Sequence, residues 1–212
     1  MPLHGGRHSL PADIVAFNQR ERLLAALAEM VAEHGYNKTT IAQITKAASV
    51  SRRTFYEHFA GKEECFIVAY EVVTSHLESL MSEAAAEQAD WPHRVAAALA
   101  ALLRFFASRP QLARLCLVES MTVGEQMASR RQESSERLIV LLQGGRAQRA
   151  EVSPLAEGIE EALVGGIFTL LGRRVVSGEA ERLEHFTPAV VEFALAPYLG
   201  YGEARRIAAG ES

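Results

Sequence analysis

The feature that most constrains the fold is a pair of helix-start signals close together near the N-terminus. Thr40 with Gln43 three residues later forms a capping box, and Ser51 is a typical N-cap for a second helix. Residues 49–51 interrupt the helical pattern between the two signals. The sequence therefore predicts two short helices joined by a tight turn, the second running from Arg52 to Phe59.

The rest of the chain shows helical periodicity and no strand pattern. Before the short helices, apolar residues recur at helical spacing from Leu24 to Val31, and Gly35 ends that helix. After them, apolar faces of helical period continue from Lys62, and the pairs Ser153-Pro154 and Thr187-Pro188 indicate further helix starts. The prediction is an all-α fold of about nine helices. Its parts are a flexible tail over 1–13, a three-helix helix-turn-helix domain over 14–61, a helical domain over 62–200 and a loose tail over 201–212.

Composition and charge exclude several classes of protein. No run of 18 apolar residues and no secretory signal pattern occurs, so we expect a cytoplasmic protein without membrane contact. Cys65 and Cys116 are too few and too far apart for a disulfide scaffold or a zinc site, and we expect no metal and no cofactor.

The charge is unevenly distributed along the chain. The formal net charge is −4, but residues 1–62 carry eight Lys/Arg against five Asp/Glu, whereas residues 63–212 carry fourteen against twenty-one. A basic N-terminal part on an acidic body favours a polyanionic partner for the N-terminal part.

The second short helix has the right chemistry for reading DNA. The major groove admits one helix, whose first residues reach the base edges, and arginine donates two hydrogen bonds to guanine. Arg52 and Arg53 open this helix. Phe55 and Phe59 lie four residues apart and are expected to pack inward. Taken alone, an arginine pair at a helix start is more often ordinary solvated surface.

Residues 40–64 carry a specific resemblance to a known protein family. Residues 40–64, TIAQITKAASVSRRTFYEHFAGKEE, resemble the signature of the tetracycline-repressor (TetR) family, in which Thr, Ile, Ala-Ala-Gly-Val-Ser, Thr-Leu-Tyr, Phe and Lys-Glu follow in this order. The chain departs from that pattern at Ser49, where glycine is usual, and at Phe55, where leucine is common. Serine reaches the left-handed conformation at some energetic cost.

The resemblance implies a transcriptional repressor that binds a palindromic operator as a homodimer. By resemblance, Arg52 and Arg53 read bases, the other positions lie near the DNA backbone, and His58 is evenly balanced between DNA contact and plain surface. The residues expected to contact double-stranded operator DNA are Thr39, Thr40, Ser51, Arg52, Arg53, Thr54, Tyr56, His58 and Lys62.

The resemblance also implies a cavity for a small effector in the helical domain. Its apolar character predicts a mostly apolar ligand, with Tyr70 and Thr122 as orienting hydrogen-bond partners. Each candidate taken singly is more often ordinary core. The candidate effector-binding residues are Tyr70, Phe105, Phe106, Cys116, Met121, Thr122 and Phe168.

Residues 163–171 are apolar nearly all round, which is typical of a helix that is buried on every side. Such a helix is either central core or a subunit interface, and the resemblance favours a homodimer built on residues 155–199. The candidate interface residues are Leu163, Ile167, Leu170, Leu171, Arg174, Val190 and Phe193.

Three functional hypotheses follow. The first is a repressor that a small, mostly apolar effector releases from its operator. The second is a DNA-binding regulator that is constitutive or responds to a protein partner. The third is a helical enzyme, against which stands the absence of the Glu-x-x-His, Gly-x-Ser-x-Gly, His-Glu-x-x-His and phosphate-loop motifs from the sequence.

Overall fold

The computed structural model describes residues 12–149 and 155–211. Within these ranges the predicted all-α class is confirmed, because helices follow one another without a strand. The α-helices are α1 (Ala12–His34), α2 (Ile41–Ala47), α3 (Arg52–His58), α4 (Lys62–Ala86), α5 (Trp91–Ser108), α6 (Pro110–Leu117), α7 (Glu125–Gln143), α8 (Ile159–Val176), α9 (Thr187–Leu199) and α10 (Tyr201–Ala208). Short 3-10 segments span Glu119–Met121, Gly144–Arg149 and Ala180–Phe186.

Two sequence predictions concern residues that lie wholly or partly outside these described ranges. Residues 1–11 of the predicted tail and the predicted Ser153-Pro154 helix start lie outside the described residues. The remaining two tail residues belong to α1, which begins at Ala12.

The first three helices enclose a small apolar core. Leu23 and Leu27 of α1, Ile44 of α2 and Phe55 of α3 are fully buried. Phe59, just after α3, is 2% exposed, and its ring centroid lies 5.7 Å from that of Phe55. The predicted inward packing of both phenylalanines is confirmed.

The helical body contacts this small core through two elements. Both α4 and α6 pack against α1, and α4 also packs along α5. Because α4 begins only three residues after α3, its first turn is fixed directly behind the helix-turn-helix. None of the helices in the described part of the chain is both long enough and apolar enough to cross a bilayer.

A buried carboxylate ties α8 to α9. Glu160 is 1% exposed and accepts hydrogen bonds from Arg146 at 2.6 and 2.8 Å and from the Tyr198 hydroxyl at 3.0 Å. Burial opposes ionisation, but these hydrogen bonds outweigh it and hold the pKa of Glu160 below its ordinary value. The same neighbourhood raises the pKa of Tyr198, first through burial and then through the hydrogen bond to Glu160.

Trp91 packs between α7 and α9. Its indole N–H donates to the Leu141 carbonyl at 2.7 Å, and its ring meets that of Tyr198 edge-on at 4.9 Å between centroids. A side chain at Gly145 would overlap the indole. The close approach of the indole therefore requires glycine at position 145.

The predicted loose tail over 201–212 is wrong for Tyr201–Ala208, which forms α10. Ala204 is fully buried against α9, and Arg205 forms an ion pair with Glu192 at 2.9 Å. Ile207 and Ala208 of α10 also pack against the core.

Candidate functional site

The outer face of α3 presents the predicted base-reading residues to solvent. Arg52, Arg53 and Tyr56 are exposed, while Phe55 holds the opposite face in the core. Arg53 forms an ion pair with Glu57 one turn later at 3.0 Å, but 89% of its side chain remains exposed. Exposed ion pairs contribute little, so this contact leaves the guanidinium available to a partner.

Both short helices begin at the predicted caps. The Thr40 side chain and Gln43 form the capping box, and the Ser51 hydroxyl accepts from the Thr54 N–H at 3.0 Å. The hydroxyl oxygens of Ser51 and Thr54 are 2.9 Å apart. His58 is half-buried at the end of α3.

The turn between these helices is strained at the position where the sequence departs from the TetR pattern. Ser49 has φ = +52°, the left-handed conformation predicted for it. Arg22 of α1 donates to the carbonyl groups of Ala48 and Ser49, the latter at 2.9 Å. The guanidinium therefore holds a turn that a serine alone disfavours.

Thr39 and Lys62 have partners within the domain itself. Thr39 is 1% exposed and its hydroxyl donates to the carbonyl groups of Met30 and Gly35, so the expectation that it contacts DNA is wrong. Lys62 donates to the carbonyl groups of Tyr36 and Thr39 at 2.7 and 2.9 Å, and burial lowers its pKa. Its first role is to fasten the start of α4 to the α1–α2 loop.

Two further cations of this domain are not among the predicted DNA-contacting residues. Lys38 precedes α2 and Lys46 lies on it, and both are exposed. They were included only in the charge count, which by itself could not place them near α3.

A cavity of about 430 Å³ lies among α4, α5, α6, α7 and α8. Ligand cavities are usually of this size. Its wall combines apolar side chains with a polar side along α4 and α7. The apolar members include Leu77, Met81, Ala98, Leu102, Leu117, Leu138, Val140 and Leu141, and the polar members include Thr74, Glu78, Ser82, Arg131, Ser134, Ser135 and Arg137.

Five of the seven predicted effector-binding residues line this cavity: Tyr70, Phe106, Cys116, Met121 and Phe168. Phe105 does not line it, because its ring packs between His76 and Arg109 instead. Thr122 does not line it either, because its exposed hydroxyl donates to the Glu119 carbonyl at 2.8 Å. Burial raises the pKa of Tyr70 to about 12, so its phenol is a neutral hydrogen-bond donor.

One hydrogen bond from a short 3-10 segment connects this cavity wall to the DNA-binding domain. The 3-10 segment that contains Met121 begins at Glu119, which is 6% exposed. One carboxylate oxygen of Glu119 accepts from the backbone N–H of Tyr36 at 2.8 Å, and the other accepts from Arg114 at 3.1 Å. The Ser120 carbonyl accepts from Arg131 of the cavity at 2.6 Å. In the sequence, the feature that indicates a buried polar contact here is a glutamate within the apolar stretch 115–121.

The predicted dimer residues divide into two groups. Leu163, Ile167, Leu171 and Val190 are at most 3% exposed within the single subunit, so their assignment to an interface is wrong. Leu170 and Arg174 are half-buried and Phe193 is 49% exposed. The glycine pair over 165–166 and Val176 on α8 are exposed as well, so an outward face of α8 and α9 remains.

The sequence model of the family described as "Bacterial regulatory proteins, tetR family" matches residues 23–69, the segment that carries the turn and α3. This segment of the chain is therefore similar to the tetR family of bacterial regulatory proteins. It includes every predicted DNA-contacting position and the exposed face of α3.

Two curated relatives match parts of this chain. The transcriptional regulator TcmR of Streptomyces glaucescens is 44% identical over 45 residues, and the transcriptional activator FasR of Mycolicibacterium smegmatis is 27% identical over 137 residues. These matches span 21% and 64% of this chain. The chain covers 20% and 61% of the lengths of the two relatives. Neither is an enzyme by name, in line with the expectation that this chain is not one.

Solved structures share the fold over nearly the whole chain. The fatty acid degradation regulator FadR of Bacillus halodurans superposes with a TM-score of 0.73 over 86% of this chain and 95% of its own, at 18% identity. FadR of Bacillus subtilis, solved in complex with stearoyl-CoA, gives a TM-score of 0.70 over 85% and 98%, also at 18% identity. The helical domain is therefore of the same fold as in these regulators.

Proposed function

We propose that the chain is a transcriptional repressor that binds a palindromic operator as a homodimer and is released by a small, mostly apolar effector. The observation that carries the proposal is the hydrogen bond from the Tyr36 N–H to Glu119. It joins the α1–α2 loop of the helix-turn-helix domain to the segment that ends at Met121 in the cavity wall. A ligand that displaces this segment must also disturb the DNA-binding domain.

The DNA-binding step is supported by the exposed arginines of α3. A short helix with exposed arginines at its start fits the major groove, where each bidentate arginine contact discriminates by about 1–3 kcal/mol. The hydroxyl groups of Ser51, Thr54 and Tyr56 and the ammonium groups of Lys38 and Lys46 are suited to phosphate oxygens.

A homodimer is supported by the outward face of α8 and α9. Phe193 and Leu170 are large apolar side chains at or near the surface, and Gly165 leaves open space for a second helix to approach. Two symmetric reading helices would then meet half-sites about one helical turn (~34 Å) apart, or a multiple of it.

The effector step is supported by the size and lining of the cavity. The B. subtilis neighbour was solved with stearoyl-CoA, a ligand with a long apolar chain, and the cavity of this chain has an apolar wall formed by five helices. A coupling of about 1–3 kcal/mol would weaken operator binding about 5–150-fold, and operator DNA would weaken ligand binding by the same factor.

The test begins with selection of bound fragments from random DNA, followed by anisotropy titration of the recovered sequence. We expect an inverted repeat, a salt-dependent affinity and release by lipophilic compounds that fill the cavity. Recovery of no common motif would refute operator binding, and a recovered operator that no cavity ligand releases would refute the effector step.

A further inference from the structure

One side of the cavity is formed by a single stripe of α7. Arg131, Ser134, Ser135 and Leu138 follow at helical i, i+3, i+4 and i+7 spacing, and all four line the cavity. The stripe therefore passes from a guanidinium through two hydroxyl groups to an apolar end.

Within residues 12–149 and 155–211, the two other arginines of this part of α7 form ion pairs, whereas Arg131 on the stripe does not. Glu78 forms an ion pair with Arg137 at 3.0 Å, and Glu71 forms one with Arg130 at 2.9 Å. Within the described residues, no carboxylate lies within ion-pair distance of Arg131. Its guanidinium donates instead to the backbone carbonyl of Ser120 at 2.6 Å.

The Arg131 guanidinium has hydrogen-bond donors at the cavity wall that no carboxylate of the described residues uses. A guanidinium has five N–H donors in a planar fork, and the Ser120 carbonyl occupies only part of that capacity. The remaining donors match the two oxygens of a carboxylate or phosphate. Next to it stand the hydroxyl groups of Tyr70 and Ser134, the first of which is held neutral by burial.

The polar side of the cavity also leads outward. A second depression of about 290 Å³ on the α4–α7 surface shares Tyr70, Thr74, Glu78, Ser134 and Arg137 with the cavity. The two therefore meet at polar groups, and the apolar residues Leu102, Phe106 and Leu138 line the cavity but not the depression.

We infer that the cavity binds an anionic amphiphile, with the acyl or alkyl chain against the apolar wall and the anionic head on the Arg131 guanidinium. The inference rests on the proposed function and specifies the ligand of that same site. Sequence analysis predicts a mostly apolar ligand with Tyr70 and Thr122 as hydrogen-bond partners. The inference adds an anionic head on Arg131, and Thr122 does not line the cavity.

The ligand chemistry is tested by isothermal titration with three twelve-carbon probes below their micellar concentrations: dodecanoate, dodecyl phosphate and the neutral dodecan-1-ol. A hydrogen-bonded ionic head is expected to improve binding roughly ten- to a hundredfold over the alcohol. Tighter binding of dodecanoate assigns the site to carboxylates, and tighter binding of dodecyl phosphate assigns it to phosphorylated heads. Equal affinities for all three probes would overturn the inference.

The residue is tested by Arg131→Gln, with Arg130→Gln as the matched control. Arg130 is the adjacent arginine on α7 and is paired with Glu71 and Glu133. Arg131→Gln should abolish the preference for the anions over the alcohol, and Arg130→Gln should retain it. Arg131→Lys, which keeps the charge, should retain part of it, and this distinguishes loss of recognition from loss of folding. An unchanged preference in Arg131→Gln would overturn the inference.

Measurements of operator affinity distinguish a failure of this inference from a failure of the proposed function. Anion binding that depends on Arg131 but leaves operator affinity unchanged would refute the effector response and support the inference. Release of the operator by dodecan-1-ol with the same potency as by the anions would support the effector response and overturn the inference.

Discussion

A side-chain carboxylate oxygen of Glu119 accepts a hydrogen bond from the backbone N–H of Tyr36 at 2.8 Å, across 83 residues of sequence. Gly35, the neighbour of Tyr36, has φ = +79°, and a Cβ added there would lie 3.4 Å from the same carboxylate oxygen. The end of α1 is thus shaped around the Glu119 side chain. This contact, rather than α4 alone, links the cavity wall to the helix-turn-helix.

Glu119→Ala should separate DNA binding from its control. Loss of the acceptor leaves the Tyr36 N–H and Arg114 without this partner and should cost about 1–3 kcal/mol of unfolding free energy. Operator affinity without effector should change little, whereas the effector-induced decrease should shrink. Operator titrations with and without ligand measure this. Glu179→Gln, which weakens a comparable ion pair with Arg174, is the control and should leave the decrease unchanged.

Ser49→Gly should stabilise the helix-turn-helix. The left-handed conformation costs a residue with a side chain about 1–2 kcal/mol, and glycine gives back about 0.5–1 kcal/mol in backbone entropy. We expect a net gain between about 0 and about 1.5 kcal/mol, visible as a rise in Tm. Ser49→Ala retains the strain and is the control. If alanine and glycine raised the Tm equally, strain at position 49 would not be the cause.

Arg52→Ala and Arg53→Ala should alter base preference at particular positions of the half-site. Each lost contact should cost about 1–3 kcal/mol and relax specificity where that arginine reads the groove. Repeated selection from random DNA with each variant measures this. Lys46→Ala on α2 is the control, since a phosphate contact should weaken all sequences alike and reduce the salt slope by about 1. Unchanged base preferences in both arginine variants would contradict their reading role.

Phe193→Glu should convert the proposed dimer into a folded monomer. The ring of Phe193 is 49% exposed, so a charge there is tolerated by the single subunit but would be buried in an interface on this face. Light scattering should show half the mass, with helical content retained. Tyr201→Glu, at a residue 75% exposed on α10, is the control. A monomeric wild type would refute the dimer itself.

The Glu160 network should make stability depend on acidity. Because its folded-state pKa lies below the ordinary value of 4.5, the ionised group stabilises the native state above that pH. This contribution is lost as pH falls through the lowered folded-state pKa. Glu160→Gln should be less stable at neutral pH and should show a flatter decline in acid, measured by urea unfolding between pH 3 and 7 (roughly the range where glutamates titrate). Glu161→Gln, on the exposed neighbour, should leave the decline unchanged.

The helix-turn-helix could be predicted from sequence because its signals are local. The Thr40 and Ser51 caps each depend on a residue three positions away. Such local signals could not distinguish the burial of adjacent residues with similar side chains. Thr39 is buried while Thr40 is exposed, because the α1–α2 loop closes over the first and not the second.

The helical domain was less predictable because its apolar residues cover whole helices. Phe105 and Phe106 are both buried, and only their different directions around α5 decide which one meets the cavity. Likewise, α8 is apolar on nearly every side, so periodicity did not distinguish the core residue Ile167 from Leu170 at the outer face. The roles of Arg131 and Glu119 depend on partners that lie 11 and 83 residues away in the sequence.

Trp91 gives the molecule a built-in optical reporter. It is the single tryptophan of the sequence, and its indole N–H is bonded to the carbonyl of Leu141, whose side chain lines the cavity. Indole emission responds to hydrogen bonding and to the polarity around the ring, so a ligand that shifts α7 changes the fluorescence of the unlabelled protein. Occupancy of the cavity and release of the operator can then be followed in the same cuvette, and the order of the two events in time becomes measurable.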